Sequence, residues 1–113
     1  MYIPFDLQEV NGYEKILLIL DTIKEYVDAT VSGKPRFGVK PVAQKIQRMG
    51  YDVDGWAVSR FVNNAKLIEG RKVFEREESG HAKYGCDITD FKRYYDETKI
   101  SYMLPLFMAS IER

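Results

Sequence analysis

The sequence predicts a mainly α-helical domain with one small β-hairpin, and three observations carry that expectation. Apolar residues recur at helical spacing near residues 11–31, 41–49, 55–67 and 88–98, the period at which one face of a helix meets a core. Between residues 71 and 86 the pattern shifts to two short arms around Glu78, Ser79, Gly80 and His81, a turn-forming cluster between strand-like runs. The chain has 113 residues, 45% hydrophobic and 30% charged, which suits one domain with a modest core. We divide it into an N-terminal helical extension (1–33), a central unit (34–98) and an apolar C-terminal segment (99–113) expected to be helical.

Each element has a local signal. "MYIPFDLQEV" is partly apolar and restricted by Pro4, so it reads as an extended arm or a brief helical turn. "NGYE" sets Asn11 three residues before Glu14, the spacing of a capping box. A helix then runs to about residue 31, with Ile16, Leu20, Ile23 and Val27 on one stripe. Leu17 and Leu18 fall off that stripe, as in helices that touch two layers or a second copy. Ser32 and Gly33 end it, and "GKPRFGVKP" reads as a basic loop. The next helix covers residues 41–49, because proline is tolerated in a first turn. Val42, Ala43, Ile46 and Met49 share its inner face, and Gly50 suits a left-handed stop.

Asp54 is the expected N-cap of a third helix, residues 55–67. At roughly 100° per residue, Ala57, Val58, Phe61, Val62 and Ala65 face inward. Trp56, Ser59, Arg60 and Asn63 face outward, with Asn64 and Lys66 on the flanks. Strands are expected at residues 71–77 and 82–86. Thr89 caps a following helix with Ile88, Phe91, Tyr94 and Tyr95 inside. The tail carries eight Ile, Leu, Phe, Tyr or Met residues between Ile100 and Ile111, with Pro105 in its first turns or at a kink. It is shorter than the roughly 20 residues a bilayer demands. Its apolar character calls for cover from the first helix or from a partner.

Charge is balanced overall, with 17 basic and 17 acidic residues, but unevenly distributed. Residues 1–33 carry two bases and six acids, residues 34–95 thirteen bases and eight acids, and residues 96–113 two bases and three acids. The positive charge therefore belongs to the central unit.

The order helix, helix, turn, helix, hairpin, helix is that of a winged helix-turn-helix. "IQRMGYDVDGWAVSRFVNNAKLIE" resembles the second-helix, turn and recognition-helix segment of winged-helix repressors of the arginine-repressor type. The hairpin and "CDITDFKRYY" resemble excisionase-type and mercury-regulator-type winged helices, and the likeness spans roughly residues 38–98. It implies double-stranded DNA binding by a small transcriptional regulator or a phage or plasmid accessory protein. Arg60 suits guanine, and Asn63 or Asn64 adenine, because their side chains can pair two edge atoms at once. Ser59 suits a phosphate or close base contact, with Trp56 and Lys66 beside it. Lys34, Arg36, Lys40, Lys45 and Arg48 would hold phosphates before the turn, and Arg71, Lys72, His81 and Lys83 from the wing.

Other readings stand beside this one. Any soluble amphipathic helix carries Arg, Asn and Lys outside, and winged helices also serve as protein-interaction modules. An outward Trp56 beside Arg60 is what a protein hot spot contains. A homodimer through residues 12–31 and 100–111 would double the basic surface. Catalysis is not expected: His81 has no nucleophile or acid beside it, Glu77 and Glu78 project to opposite sides of a strand, and no GxxxxGK[ST] loop occurs. One Cys and one His cannot build a zinc cluster within a chain, and no cofactor is implied. Cys86 reads as a buried structural thiol in an intracellular, cytoplasmic protein. The opening residues lack a basic region followed by an apolar run, and no membrane association is expected.

Overall fold

Asp54 starts the third helix as its chemistry requires. Its carboxylate accepts a hydrogen bond of 2.8 Å from the backbone N–H of Ala57, meeting one of the orphan donors of a helix N-terminus. Four residues earlier Gly50, at φ 92°, ends the preceding helix in the left-handed region. Gln47 bridges the turn, its side-chain amide donating to the Val53 carbonyl at 3.0 Å. Val53 is fully buried. The second and third helices are thus locked in register by one cap, one glycine and one buried valine.

The computed structural model describes residues 12–77 and 83–111, with side chains as far as Ser101. Among them it is mainly helical with a small antiparallel sheet: α1 (Tyr13–Asp28), β1 (Arg36–Gly38), α2 (Val39–Arg48), α3 (Gly55–Asn64), β2 (Leu67–Ile68), β3 (Arg71–Lys72), β4 (Phe74–Arg76), β5 (Lys83–Cys86) and α4 (Ile88–Ile111). The three-stranded sheet has the order β1-β5-β4, antiparallel throughout, and β2 pairs with β3. No helix among the described residues is long and apolar enough to cross a membrane.

One sheet face is wet and the other packed, the usual state of a small antiparallel sheet. Phe37, Tyr84 and Phe74 are buried on the inner face. Phe74 is its centre. Its ring meets Phe37 of β1 at 5.8 Å, Phe61 of α3 at 6.5 Å, and Phe91 and Tyr94 of α4 at 6.1 and 6.3 Å. Ile16, Ile19, Leu20 and Ile23 of α1 and Val42 and Ile46 of α2 complete the same core.

Several expectations shift. The basic loop contains β1, because burial of Phe37 against Tyr84 and Phe74 draws it into the sheet. α2 accordingly starts at Val39, with Pro41 in its first turn and Met49 half exposed just beyond it. α1 stops at Asp28, where the Thr30 hydroxyl donates to the Tyr26 carbonyl at 2.9 Å, leaving Val31 in solvent. The single strand expected at residues 71–77 is broken at Val73, and β3 turns back on β2 through Glu69 and Gly70, at φ 51° and 78°. Two positive φ values in a two-residue loop are what a type I′ hairpin demands.

The cap of α4 is Asp87, not Thr89: its carboxylate accepts from the N–H groups of Thr89 and Asp90 at 2.9 and 3.2 Å. Ile88 is consequently an exposed first-turn residue. α4 runs unbroken from Ile88 to Ile111 and passes through Pro105. Asn11, proposed as the first cap, lies outside the described residues. So do the side chains of the apolar tail beyond Ser101, and what covers them.

Two outcomes follow. Phe74→Ala removes the ring on which sheet, α3 and α4 meet, and should cost about 3–5 kcal/mol of stability in urea denaturation. Burial, reinforced by Asp87, pushes the Cys86 thiol from an ordinary 9.0 up to about 12. The unfolded chain ionises this thiol first, so its contribution to stability is intact below about pH 9 and is lost as pH rises toward about 12. Stability measured over that range should fall more steeply for the wild type than for Cys86→Ala.

Candidate nucleic-acid interface

α3 presents three kinds of side chain. Val58, Phe61 and Val62 are buried, and Ala57 and Ala65 pack at the core margin. Trp56 is 70% exposed, and Arg60, one turn on, shares its face. Asn63 and Asn64 are exposed near the C-terminal end, and Lys66 is half-buried just beyond it.

Ser59 and Asn63 do more than face solvent. The Tyr84 ring is buried in the sheet, and its hydroxyl emerges beside α3. There it donates to Asn63 Oδ1 at 3.0 Å and lies 3.2 Å from Ser59 Oγ. Asn63 Nδ2 in turn lies 3.5 Å from Ser59 Oγ. A buried phenol needs a partner, and these two residues supply it, tying α3 to β5.

The basic residues divide by what they meet. Gly85, in the central strand, stands between Arg36 on one side and Glu75 on the other. With no side chain between them, the edges meet across the sheet's outer face: Lys34 Nζ reaches Glu75 at 2.8 Å and Arg36 Nε reaches Glu77 at 2.7 Å. The Lys34 ammonium holds the Glu75 carboxyl below the usual carboxylate range. Lys45 pairs with Glu25 of α1. Arg71 reaches Asp90 at 2.9 Å, with Arg93 at 3.7 Å on the same oxygen. Because the Asp90 side chain is only 4% exposed, losing these guanidinium groups would strand a buried charge.

Lys40 and Arg48 are exposed on α2, and Lys83 is exposed on the outer face of the sheet. His81 lies outside the described residues. Among the described residues, Lys72 is the expected wing cation that reaches the α3–sheet junction. It lines a shallow depression with Val62, Asn63, Ala65, Phe74, Arg76 and Tyr84. Arg36, Lys45 and Arg71 are instead engaged by carboxylates on other sides of the molecule.

The sequence reading passed over Arg76 and the Tyr84 hydroxyl. Strand alternation carries the signal for Arg76: side chains two apart share a face, so an inward Phe74 puts Arg76 on the α3 side and Glu75 on the other. No such signal exists for Tyr84, whose partners lie 21 and 25 residues away.

Comparison with family models, with curated proteins and with solved structures finds no match to this chain.

Tyr84→Phe keeps the ring and deletes the link between α3 and β5. The expected loss is about 1 kcal/mol, read as a lower urea midpoint with an unchanged slope.

Proposed function

We propose that this protein is a non-catalytic binder of double-stranded DNA, a small regulator or mobile-element accessory protein built as a winged helix-turn-helix. α2, the Gly50–Asp54 turn and α3 serve as its helix-turn-helix, and β4 and β5 as the base of its wing. The element order and the β1-β5-β4 sheet support this reading. The observation that carries it is the exposed Trp56 on the outward face of α3, with Arg60 one turn on and with Lys72 and Arg76 flanking the C-terminal end of the helix. A helix of this size enters a major groove, where Arg60 would meet a guanine edge, with Asn64 beside it and phosphates on both flanks. Lys40 and Arg48 extend the basic surface along α2. A two-fold dimer through α1 and the apolar end of α4 would present two such surfaces to a two-part site.

The 70% exposure of Trp56 favours a second reading, in which this face docks on another protein. An indole in the open is a typical anchor of such contacts.

Selection from random duplexes, followed by fluorescence anisotropy at several salt concentrations, separates the two. DNA binding predicts an enriched sequence and affinity that falls steeply with salt. Arg60→Ala should then cost about 1–3 kcal/mol and relax preference at one base position. No enrichment, together with loss of a captured protein on Trp56→Ala, favours the docking reading.

A further inference from the structure

We infer that the depression between the end of α3 and strands β3 and β4 is a seat for one phosphate oxyanion, which on the DNA reading above is a backbone phosphodiester. Its rim is made of Asn63, Lys72 and Arg76 around Tyr84.

Two independent features of the geometry point there. The first is charge. Lys34, Arg36, Lys45, Arg71 and Arg93 each meet a carboxylate. Lys72 and Arg76 line one depression and have no ion-pair partner among the described residues, and none of the described residues lining it is acidic. Attraction left uncompensated at one spot is available to an incoming anion.

The second feature is hydrogen-bond polarity. An asparagine amide offers an acceptor at one end and donors at the other. The Tyr84 hydroxyl donates to Asn63 Oδ1 at 3.0 Å, and Nδ2, which carries two N–H groups, lies 3.5 Å from Ser59 Oγ with one N–H to spare. The rim then holds an amide N–H, an ammonium and a guanidinium, all donors. A phosphate accepts from every one of them and offers no donor in return. Asn63 thereby positions a strand instead of reading a base.

The test uses the full chain and three variants. Lys72→Ala/Arg76→Ala removes both cations. Asn63→Asp keeps an oxygen for Tyr84 but replaces the donor with an acceptor. Lys92→Ala, on α4, controls for the loss of one positive charge. Circular dichroism confirms that each is folded.

If the protein binds duplex DNA, the double variant should lower the slope of log affinity against log salt by about 1. Asn63→Asp should weaken binding several-fold by a similar factor on every duplex, and Lys92→Ala should leave the slope near wild type. DNA binding with an unchanged slope in the double variant overturns the seat and leaves the DNA reading intact. So does a loss on Asn63→Asp confined to one base position.

A titration with inorganic phosphate, followed on the backbone amide resonances of Asn63, Lys72, Arg76 and Tyr84, distinguishes the source of the oxyanion. Saturable shifts that vanish in the double variant, in a protein that binds no DNA, support the seat for a small phosphate and overturn the DNA reading. Neither DNA binding nor phosphate shifts overturns both.

Discussion

Everything in this small domain is referenced to the ring of Phe74. β1 meets it through Phe37, α3 through Phe61, and α4 through Phe91 and Tyr94. The strand that carries it is only three residues long, too short to hold a sheet in place by backbone pairing alone. Side-chain packing therefore orients the sheet against the helices. The same constraint reaches the surface: an inward Phe74 commits Arg76, two residues on, to the α3 side, and commits Glu75 and Glu77 to the far face, where they meet Lys34 and Arg36. The position of the exposed basic surface is thus a consequence of how the core is packed.

Charge in the folded chain is sorted by position, not by amount. Surface pairs such as Lys34–Glu75 and Arg36–Glu77 contribute little to stability. Their effect is on the field outside the molecule, because each neutralises a cation on a face remote from α3. Asp90 acts differently, since its buried carboxylate binds Arg71 and Arg93 into the junction of β3 and α4. What remains uncompensated among the described residues includes Lys72 and Arg76 beside α3 and Lys40 and Arg48 on α2. A balanced global charge coexists with a locally positive margin.

The link between α3 and β5 joins stability to surface chemistry. Tyr84 places its ring in the core and its hydroxyl at the foot of α3, where Asn63 and Ser59 satisfy it. A residue that looks from sequence like a reader of bases thus owes part of its hydrogen-bonding capacity to the fold. Trp56 stands in the open on the outward half of α3.

Local chemistry was enough to read much of this from the amino acids. Asp54 and Gly50 announce the ends of α3 and α2 because a cap carboxylate and a left-handed glycine act within three or four residues. The inward stripes of α1 and α3 follow from a period of 3.6, and the outward Trp56 with them. β1 was hidden because a three-residue strand exists only through Tyr84 and Phe74, more than thirty residues downstream in the chain. The break at Val73 was equally hidden, since Leu67 and Ile68 had to return through a tight hairpin to pair with β3. The sequence by itself determined the helices, the turn and the inventory of cations. Only the tertiary structure decided which cations a carboxylate neutralises and which gather beside α3, because ion pairing and strand facing depend on residues distant in the chain and close in space.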